Sequence, residues 1–378
     1  MTAGSRLKIL LVRLRQIGDV VFTTPAIRAL RQRFPDAHIS YIVEPAAEPV
    51  VRTNPHLSEV IVAPRGRGIA GLRGDLALGR RLRRAGYDLA IDFHGGPRAS
   101  LLTWLSGARE RIGYEIPGRA WMYTHRVARP RALRARHSVE NQWDLLETLG
   151  VSAPSRDRFP VEMAADAATI EGLAARLARA GIQPGDRLVV IHVSAGNPFR
   201  RWPIASFASV AAGLVSSRAD TKAIVTSGPS EREAADAVIA GAREQLNGTE
   251  RGRVLALEGD LSLAELRALM DRAALYIGGD SGPMHIAATS HVPMVSLYGP
   301  TLPARSAPWR EERWLTASLE TTGLDCRPCD QRVCVHGDFR CLARITATQV
   351  TDAAERLLKS KAEDRRFPAD AEDTSIGS

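Results

Sequence analysis

Short apolar segments, each followed by a turn and an amphipathic pattern, recur along the first half of the chain. Residues 8–14 form an apolar run without alternation, which is typical of a strand buried on both faces of a parallel sheet. Gly18 provides a turn, and a helical pattern follows at 25–34. Further elements are predicted as strands at 38–43, 60–63 and 89–93 and as a helix at 140–149. Alternating strands and helices predict a mostly parallel sheet covered by helices on both faces.

A change of composition to Ser, Pro and Arg between residues 151 and 160 separates this series from a second one. After a helical pattern at 165–180, strands are predicted at 188–193, 223–227, 254–257, 275–278 and 294–297, and helices at 206–216, 231–242, 263–272 and 284–289. The chain has 378 residues, whereas a single core stops growing near about 250–300 residues. We therefore predict an α/β protein with two doubly wound domains, whose ligands bind where the carboxyl ends of the two sets of strands face one another.

Charge and hydropathy narrow the classes of partner. No apolar segment approaches the ~18–20 residues of a membrane span, and Arg13 and Arg15 interrupt the first apolar run before it reaches the length of a signal-peptide core. These features predict a chain that folds in the cytoplasm. The net charge of +9 favours acidic partners, namely phosphorylated glycolipid, an anionic membrane surface or nucleic acid.

Arginine is concentrated in two stretches of the first half. The first contains a single acid, Asp75, among Arg65, Arg67, Arg73, Arg80, Arg81, Arg83 and Arg84; the second contains Arg126, Arg129, Arg131, Arg134 and Arg136 and no acid. For any single arginine of these stretches, a solvated basic face explains the pattern as well as a binding role does.

Three turns that follow predicted strands carry residues suited to chemistry. In the first turn, Asp19 follows Gly18; it is either the cap of the next helix or a general base at the edge of the interdomain cleft. In the second, Asp280, Ser281, Gly282 and His285 surround a helix start. Asp280 and His285 could simply cap that helix, but a glycine-rich turn with these side chains is more typical of a site that receives a phosphate.

The third turn, residues 194–203, contains paired arginines at Arg200 and Arg201 beside Trp202. Arginine makes bidentate contacts with phosphate oxygens, so these side chains could neutralise a diphosphate leaving group. The alternative is an ordinary exposed arginine stacked on Trp202. The position of the turn at the end of a buried strand favours the binding role.

The order of these elements resembles glycosyltransferase family nine, the heptosyltransferases of lipopolysaccharide core assembly. The resemblance covers roughly residues 7–358. Its marks are Gly18-Asp19 with Thr24-Pro25, Arg200-x-Trp202-Pro203, Asp280-Ser281-Gly282-x-x-His285 and Tyr298-Gly299-Pro300-Thr301. It implies a GT-B fold with an acceptor-binding domain (1–163), a nucleotide-sugar-binding domain (164–345) and a last helix (346–360) that crosses back to the first domain. The tail at 361–378 is short of apolar residues and is predicted to be disordered.

The resemblance also implies a role for individual residues. Asp19 corresponds to the catalytic base, and Arg200 takes the place of a family lysine that meets the donor phosphates. Asp280, Ser281, Gly282 and His285 would hold the sugar and diphosphate, and Ser194 would lie beside the phosphates. Glu231 is similar to the acid that binds the ribose hydroxyls, and Leu261 lies where the family packs adenine. The implied reaction is an inverting displacement of ADP from ADP-heptose that requires no metal cofactor.

The acceptor implied by the resemblance is the core of lipopolysaccharide with its lipid A, at the cytoplasmic face of the inner membrane, where the protein would act as a peripheral enzyme. Its carboxylates and phosphates suggest the first arginine stretch, notably Arg65, Arg67 and Arg73, as a binding surface. The end of the strand at 89–93 supplies further candidates on the acceptor side, Asp92, His94 and Arg98. The position of the transferred heptose, the exact acceptor and the oligomeric state are left open.

The four cysteines, Cys326, Cys329, Cys334 and Cys341, lie close together in the sequence. A cytoplasmic chain argues against stable disulfides, and four thiolates in a short span suit a structural zinc or iron site. Reduced thiols without metal are an equal alternative. Such a cluster would be structural and would not take part in the reaction.

Other functions fit the sequence less well. A transferase of the same fold could use another nucleotide sugar or a protein acceptor. A basic nucleic-acid-binding protein with a zinc knuckle would need stacking aromatics, but aromatic residues make up only 5% of the chain and none is interleaved with the arginine runs. A dinucleotide-dependent oxidoreductase would need G-x-G-x-x-G after the first strand, and that motif is absent there. No nucleic-acid partner is therefore expected.

Overall fold

A computed structural model of the protein describes residues 6–64, 66, 68–128, 136–193, 198–329 and 333–364. The first parallel sheet consists of β1 (Lys8–Val12), β2 (His38–Val43), β3 (Glu59–Val62), β4 (Leu89–Asp92), β5 (Glu110–Tyr114) and β6 (His125–Val127). Its order is β3-β2-β1-β4-β5-β6. The order reverses between β1 and β4, and ligands of open α/β sheets bind at such a switch point.

The second sheet repeats this arrangement. Its strands are β7 (Arg187–His192), β8 (Thr221–Thr226), β9 (Val254–Leu255), β10 (Leu275–Gly279), β11 (Met294–Tyr298) and β12 (Thr316–Glu320). They lie in the order β12-β11-β10-β7-β8-β9, and every pair is parallel. The prediction of two doubly wound α/β domains is confirmed.

Helices cover the faces of both sheets. Those of the first half are α1 (Ile17–Val21), α2 (Thr24–Arg33), α3 (Gly68–Ala85), α4 (Pro97–Leu105) and α5 (Ser138–Trp143). Those of the second half are α6 (Ala167–Arg179), α7 (Ile204–Ser217), α8 (Arg232–Glu244), α9 (Leu263–Arg272), α10 (Gly282–Ala287), α11 (Pro303–Ser306), α12 (Arg340–Ala343) and α13 (Ala347–Asp364). Among the described residues, no helix is both long and apolar enough to cross a membrane.

The apolar run of β1 is explained by burial on both sides of the sheet. Ile9 and Leu11 belong to a core shared with α2, whereas Leu10 and Val12 belong to a core shared with α3 and α4. All four side chains are fully buried. A strand in this position requires no polar face, which is why the sequence shows a continuous apolar run.

The last helix, α13, differs from the expectation that it returns to the first domain. Its main contacts are with α7, β10, β11 and β12 of the second domain. Val350, Ala353, Ala354 and Leu358 recur at helical spacing and are buried in the core of that domain. The helix has one apolar face, and this face is buried against the second sheet. It therefore leaves no apolar face to pack on the first domain. The helix also continues to Asp364, so residues 361–364 of the predicted tail are helical, and 365–378 lie outside the described residues.

Several elements differ from the sequence prediction. The helix predicted at 140–149 is α5 followed by a turn and a 3-10 segment, Glu147–Leu149, which ends at Gly150 with a positive φ of 67°. The pattern did not predict eight elements, namely α1, α3, α4, α11, α12, β5, β6 and β12. Glycines and arginines obscure the period of α3, and β6 and β12 are short, half-exposed edge strands.

The two domains contact each other beyond their connecting segment. Helix α1 of the first domain packs against α10 of the second. Near the connection, the backbone N–H of Val161 donates to the carbonyl of Trp309 at 3.0 Å, and the Trp309 indole donates to the carbonyl of Phe159 at 2.8 Å. These contacts set the width of the cleft between the sheets.

Candidate active site

A cleft of about 1060 Å³ lies between the two domains, where the carboxyl ends of their strands face each other. The first domain contributes the segment from Gln16 to Asp19, and the second contributes the turns after β7, β8 and β10. Its wall contains every predicted catalytic and donor-binding residue that the structure describes: Asp19, Arg200, Glu231, Leu261, Asp280, Ser281, Gly282 and His285. Ser194 lies outside the described residues.

Asp19 is held by an arginine from the preceding strand end. The N-cap of α1 is Gln16, so Asp19 lies in the first helical turn and is not the cap. The guanidinium of Arg13 forms an ion pair with the Asp19 carboxylate and donates a second hydrogen bond, of 2.6 Å, to the carbonyl of Phe93. Because the Asp19 side chain remains 37% exposed, it is oriented by Arg13 and still open to the cleft.

Two glycines allow the domains to approach closely beside Asp19. A Cβ atom at Gly18 would lie 2.3 Å from Cδ2 of His285, and one at Gly282 would lie 3.1 Å from Cβ of Ile17. The ring of Phe22 also lies 4.4 Å from that of His285, centroid to centroid. The backbone of α1 therefore lies directly against the first turn of α10, and Asp19 faces the turn that contains Asp280.

Asp280 organises the second-domain side of the cleft. Its side chain is buried; Oδ2 accepts a hydrogen bond of 2.5 Å from the Thr301 hydroxyl, and Oδ1 lies 3.5 Å from Nε2 of His285. Arg200 Nη1 is 3.8 Å from Oδ2. Burial by itself would raise the pKa of Asp280, but the hydrogen bonds and charges of these three partners outweigh it and lower the pKa. Asp280 is thus an anion that fixes three side chains at the cleft wall.

The two neighbouring arginines, Arg200 and Arg201, lie beside different acids. Arg200 lies beside Asp280 and is 38% exposed, and its buried Nε atom has no hydrogen-bond partner among the described residues. Arg201 instead contacts the buried carboxylate of Glu231 at 2.8 Å. The Trp202 indole is buried and donates to the carbonyl of Ile345 at 2.9 Å, so it anchors this segment to the domain core. Of these two arginines, Arg200 lines the cleft and Arg201 does not.

The cleft also has apolar lining. Leu257, Leu261, Leu263 and Leu266 line it together with the buried acid Glu231. An apolar surface, a buried acid and a cationic turn in one cleft can bind an aromatic base, neighbouring hydroxyls and a diphosphate.

The structure corrects the acceptor role of Asp92. Its carboxylate is fully buried; it accepts hydrogen bonds from the backbone N–H groups of His94 and Gly95 at 2.8 and 2.9 Å and from the hydroxyl of Tyr123 at 2.6 Å. Burial raises the pKa of Asp92, and these hydrogen bonds oppose the rise. Asp92 therefore holds the loop after β4 and does not line the cleft, because its carboxylate is bound to this loop and to Tyr123.

The neighbouring candidates also have internal partners. Arg98 forms ion pairs with Asp75 at 2.7 Å and Glu44 at 3.0 Å. His94 accepts a hydrogen bond from the backbone N–H of Leu14 at 3.4 Å, and burial, with the charges of nearby arginines, lowers its pKa to about 4. Arg73 is exposed on α3, and neither it nor these two residues lines the cleft. Arg65 and Arg67 lie outside the described residues.

A comparison with known families decides the class of this protein. The model of glycosyltransferase family 9 (heptosyltransferase) matches residues 76–338, which is more than half of the chain. The chain belongs to glycosyltransferase family 9. It is therefore a glycosyltransferase, and the resemblance found in its sequence is confirmed.

Relatives and solved structures agree with this membership across nearly the whole chain. The protein is 29% identical over 353 residues to lipopolysaccharide heptosyltransferase 3 of Escherichia coli, covering 91% of this chain and 97% of that one. A family 9 glycosyl transferase from Veillonella parvula superposes with a TM-score of 0.80 at 26% identity, over 94% of this chain and 98% of that one. The E. coli ADP-heptose lps heptosyltransferase II superposes with a TM-score of 0.76 at 20% identity, over 94% and 100%. These structures confirm the GT-B fold.

Two residues at the site of this family 9 transferase, Arg13 and His192, were not predicted from the sequence. Arg13 is a charged residue in an otherwise apolar strand run, and this exception was the available signal. His192 ends β7, lines the cleft and lies 3.0 Å from the Thr226 hydroxyl through Nδ1. Arg201 was grouped with Arg200, and only the fold separates the two, because adjacent residues in a turn point in different directions.

The four cysteines of the transferase are free and half-buried. Burial raises the pKa of the Cys341 thiol, and the neighbouring Cys326 and Cys334 thiols raise it further, so these three lie near one another. Within the described part of the chain, however, no group of three or more His, Cys, Asp or Glu side chains is arranged to hold a metal ion. The predicted zinc or iron stays a prediction.

Proposed function

We propose that this transferase moves heptose from ADP-heptose onto the inner core of lipopolysaccharide. One observation carries the proposal: Asp19 of the first domain and the Asp280–His285 turn of the second line one cleft, with Gly18 packed against His285. A base on one side and a seat for a leaving diphosphate on the other is the arrangement that glycosyl transfer from a nucleotide sugar requires. The relatives named for heptosyl transfer support the choice of sugar.

The donor side suits an adenosine diphosphate. Leucines 257, 261, 263 and 266 offer an apolar pocket for adenine, and the Glu231 carboxylate, held by Arg201, can accept hydrogen bonds from ribose hydroxyls. In this proposal Arg200, whose side chain is 38% exposed, binds the diphosphate. Because a guanidinium is always charged and binds phosphate oxygens in a fork, it suits a leaving group with growing negative charge.

The proposed reaction is a single inverting displacement. Asp19 accepts the proton of an acceptor hydroxyl while that oxygen forms a bond to the anomeric carbon of the donor. The bond from this carbon to the diphosphate oxygen breaks, and ADP leaves with the bonding electron pair. Arg200 stabilises the departing charge, an electrostatic contribution of about 3–4 kcal/mol for one donor group. Arg13 keeps the Asp19 carboxylate oriented during the transfer through their ion pair.

The scheme assigns charge stabilisation to arginine and to the turn at 280–285, and no step depends on a metal ion. We expect the cysteine cluster to have a structural role. Metal analysis of the purified protein and a transfer assay with and without a chelator test these two points separately.

The acceptor is proposed to be the lipid A-linked core presented at the cytoplasmic face of the inner membrane. The excess of basic residues, with a net charge of +9, supports an acidic acceptor and an anionic surface.

A donor and acceptor panel tests the function. Purified protein is incubated with ADP-heptose, ADP-glucose, UDP-glucose and GDP-mannose and with truncated core acceptors, and nucleotide release and product mass are measured. We expect ADP release and a mass increase of one heptose only with ADP-heptose and a core acceptor. Transfer from another nucleotide sugar, or to a protein acceptor, would change the proposed substrate and leave the proposed transferase site valid. An absence of transfer from every donor would reject the proposal.

A further inference from the structure

Helix α3 (Gly68–Ala85) has an apolar stripe on the side that faces away from its own domain. Leu78, Gly79 and Leu82 are buried against the sheet and α4. In contrast, Ile69, Leu72 and Leu76 are 73%, 54% and 37% exposed. Their spacing of three and four residues places them on one face of the helix. A helix with a second apolar face in solvent has more apolar surface than packing in its own domain requires.

The same outward face becomes cationic toward the end of the helix. Arg73, Arg80 and Arg84 are exposed and, at spacings of seven and four residues, follow the apolar stripe along the helix. None of the three forms an ion pair with another residue that the structure describes. Arg81, on a different side, is neutralised by Glu59 at 2.7 Å. The outward face therefore carries uncompensated positive charge along a helix about 27 Å long.

Two exposed tryptophans belong to the same layer of helices. Trp104 at the end of α4 and Trp121 are 41% and 57% exposed, and their rings contact each other edge to face with centroids 5.6 Å apart. Their layer is joined to α3 where Leu105 packs against Gly79, which has room for no side chain of its own. Indole rings prefer the boundary between water and acyl chains.

The position of this surface relative to the cleft also matters. The first half of α3 is tied to the carboxyl edge of the first sheet, since Asp75 pairs with Arg98, which also pairs with Glu44 at the end of β2. That edge is the one that presents Asp19. None of the three stripe residues or the two tryptophans lines the cleft itself. The surface therefore lies near the carboxyl edge of the first sheet but outside the cleft.

We propose that the outward face of α3, together with Trp104 and Trp121, docks the enzyme on an anionic phospholipid bilayer. Ile69, Leu72 and Leu76 enter the headgroup boundary, while Arg73, Arg80 and Arg84 contact lipid phosphates. An amphipathic helix with basic and apolar residues on its free face binds membranes in this manner, through buried apolar area and attraction to anionic lipid together. Bilayer binding itself requires no sugar substrate. The inference rests on the proposed function only in the statement that the acceptor lies in the same bilayer.

Vesicle sedimentation with the full chain tests the surface directly. We expect binding to vesicles of phosphatidylcholine mixed with phosphatidylglycerol, weak binding to phosphatidylcholine alone, and a decrease with added salt. The double variant Ile69→Ser/Leu72→Ser should lower the partition coefficient about tenfold or more, since both side chains supply buried apolar area. Ile170→Ser, on a helix of the second domain and 50% exposed, is the matched control and should bind as the wild type does.

The charged half is tested in the same assay. Arg80→Gln/Arg84→Gln should reduce binding to anionic vesicles and flatten its salt dependence, whereas Arg272→Gln, an exposed arginine of the second domain, should change neither. Equal binding by the stripe, charge and control variants would overturn the proposal, as would an absence of wild-type binding to anionic vesicles. So would a dimer that the stripe variant dissociates in sedimentation equilibrium while vesicle binding is unchanged, because the face would then be an interface between copies of the chain.

An activity assay separates docking from catalysis. The stripe variant should transfer sugar to a deacylated, water-soluble core acceptor at the wild-type rate but lose about tenfold on the acceptor embedded in vesicles. A wild-type protein that binds vesicles but transfers no sugar would reject the proposed function and leave the docking surface intact.

Discussion

The two walls of the cleft differ in how their charged residues are used. On the proposed donor side, Asp280 and Glu231 are buried acids that each pair with an arginine, and of these two arginines Arg200 lines the cleft. On the acceptor side, Asp92 and Arg98 are bound to other side chains behind the surface, and Asp19 is the acid that reaches the cleft. The proposed donor wall is thus a preorganised site for an anion. The proposed acceptor wall presents one carboxylate to the cleft, and Asp92 and Arg98 are bound to internal partners.

This contrast follows from what each wall must do. A diphosphate is a constant ligand with fixed charge, so a rigid constellation of partners can be complementary to it. A large acceptor is held over a wide surface, and one oriented base at the edge is sufficient for its hydroxyl. Four experiments test this contrast.

The largest effect is expected for Asp19→Asn. The amide keeps the size of the side chain but cannot accept the hydroxyl proton, so turnover should fall about 10²–10⁴-fold. ADP binding, measured by calorimetry, should be close to that of the wild type because the donor wall is untouched. Asp36→Asn, an exposed acid of the same domain, serves as the control. Turnover near the wild-type value would remove Asp19 as the base.

Arg200→Ala tests the donor wall. Loss of the guanidinium should lower the rate about 10²–10³-fold, because the leaving charge is no longer stabilised, and should weaken ADP binding as well. Arg200→Lys should recover part of both, since it restores the charge but not the fork. Donor binding and turnover that stay unchanged in the alanine variant would contradict the phosphate role.

Gly18→Ala tests whether the two walls must touch. The new methyl group would overlap His285, whose ring is buried and fixed beside Asp280, and such overpacking costs about 1–3 kcal/mol. We expect kcat/KM to fall about 10–100-fold. Gly172→Ala is the matched control, since a Cβ there meets no atom within 4 Å. Equal activity of both variants would show that the observed approach of α1 and α10 is not needed for transfer.

The smallest effect concerns stability and compares a histidine from each domain. Burial lowers the pKa of His137 to about 3 and of His192 to about 4, from an ordinary value of 6.5. Both are neutral in the folded protein, whereas the unfolded chain takes up protons below pH 6.5. Stability is therefore complete above about pH 7 and is lost as the pH falls toward 4, by about 2 kcal/mol per histidine at pH 5.

Denaturant unfolding at pH 7.5 and pH 5 measures this loss. His192→Asn and His137→Asn should each show a smaller difference between the two pH values than the wild type does, by about 2 kcal/mol. A decline as steep as that of the wild type in either variant would exclude that histidine as the cause.

Local patterns were sufficient for most of the fold. Fully buried strands such as β2 and β10 read as apolar runs, and the helix at 263–272 has a capping box from Ser262 that marks its start, so its bounds were predicted correctly. The edge strand β12 depends on its neighbour for stability and was not predicted. Its residues are exposed or half-buried, and polar and apolar residues are mixed along it. In such elements the hydrogen bonds to the adjacent strand outweigh the local preference.

Short motifs at strand ends were enough to predict the fold class and the second-domain residues that line the cleft, because parallel strands bring their carboxyl ends to one edge. Which charged residues are available there depends on packing. Packing paired Arg13 with Asp19 across a helix start, bound Asp92 to Tyr123, paired Arg201 with Glu231 and left the apolar stripe of α3 exposed. Burial and pairing depend on contacts between residues far apart in the chain, and for that reason no local pattern records them.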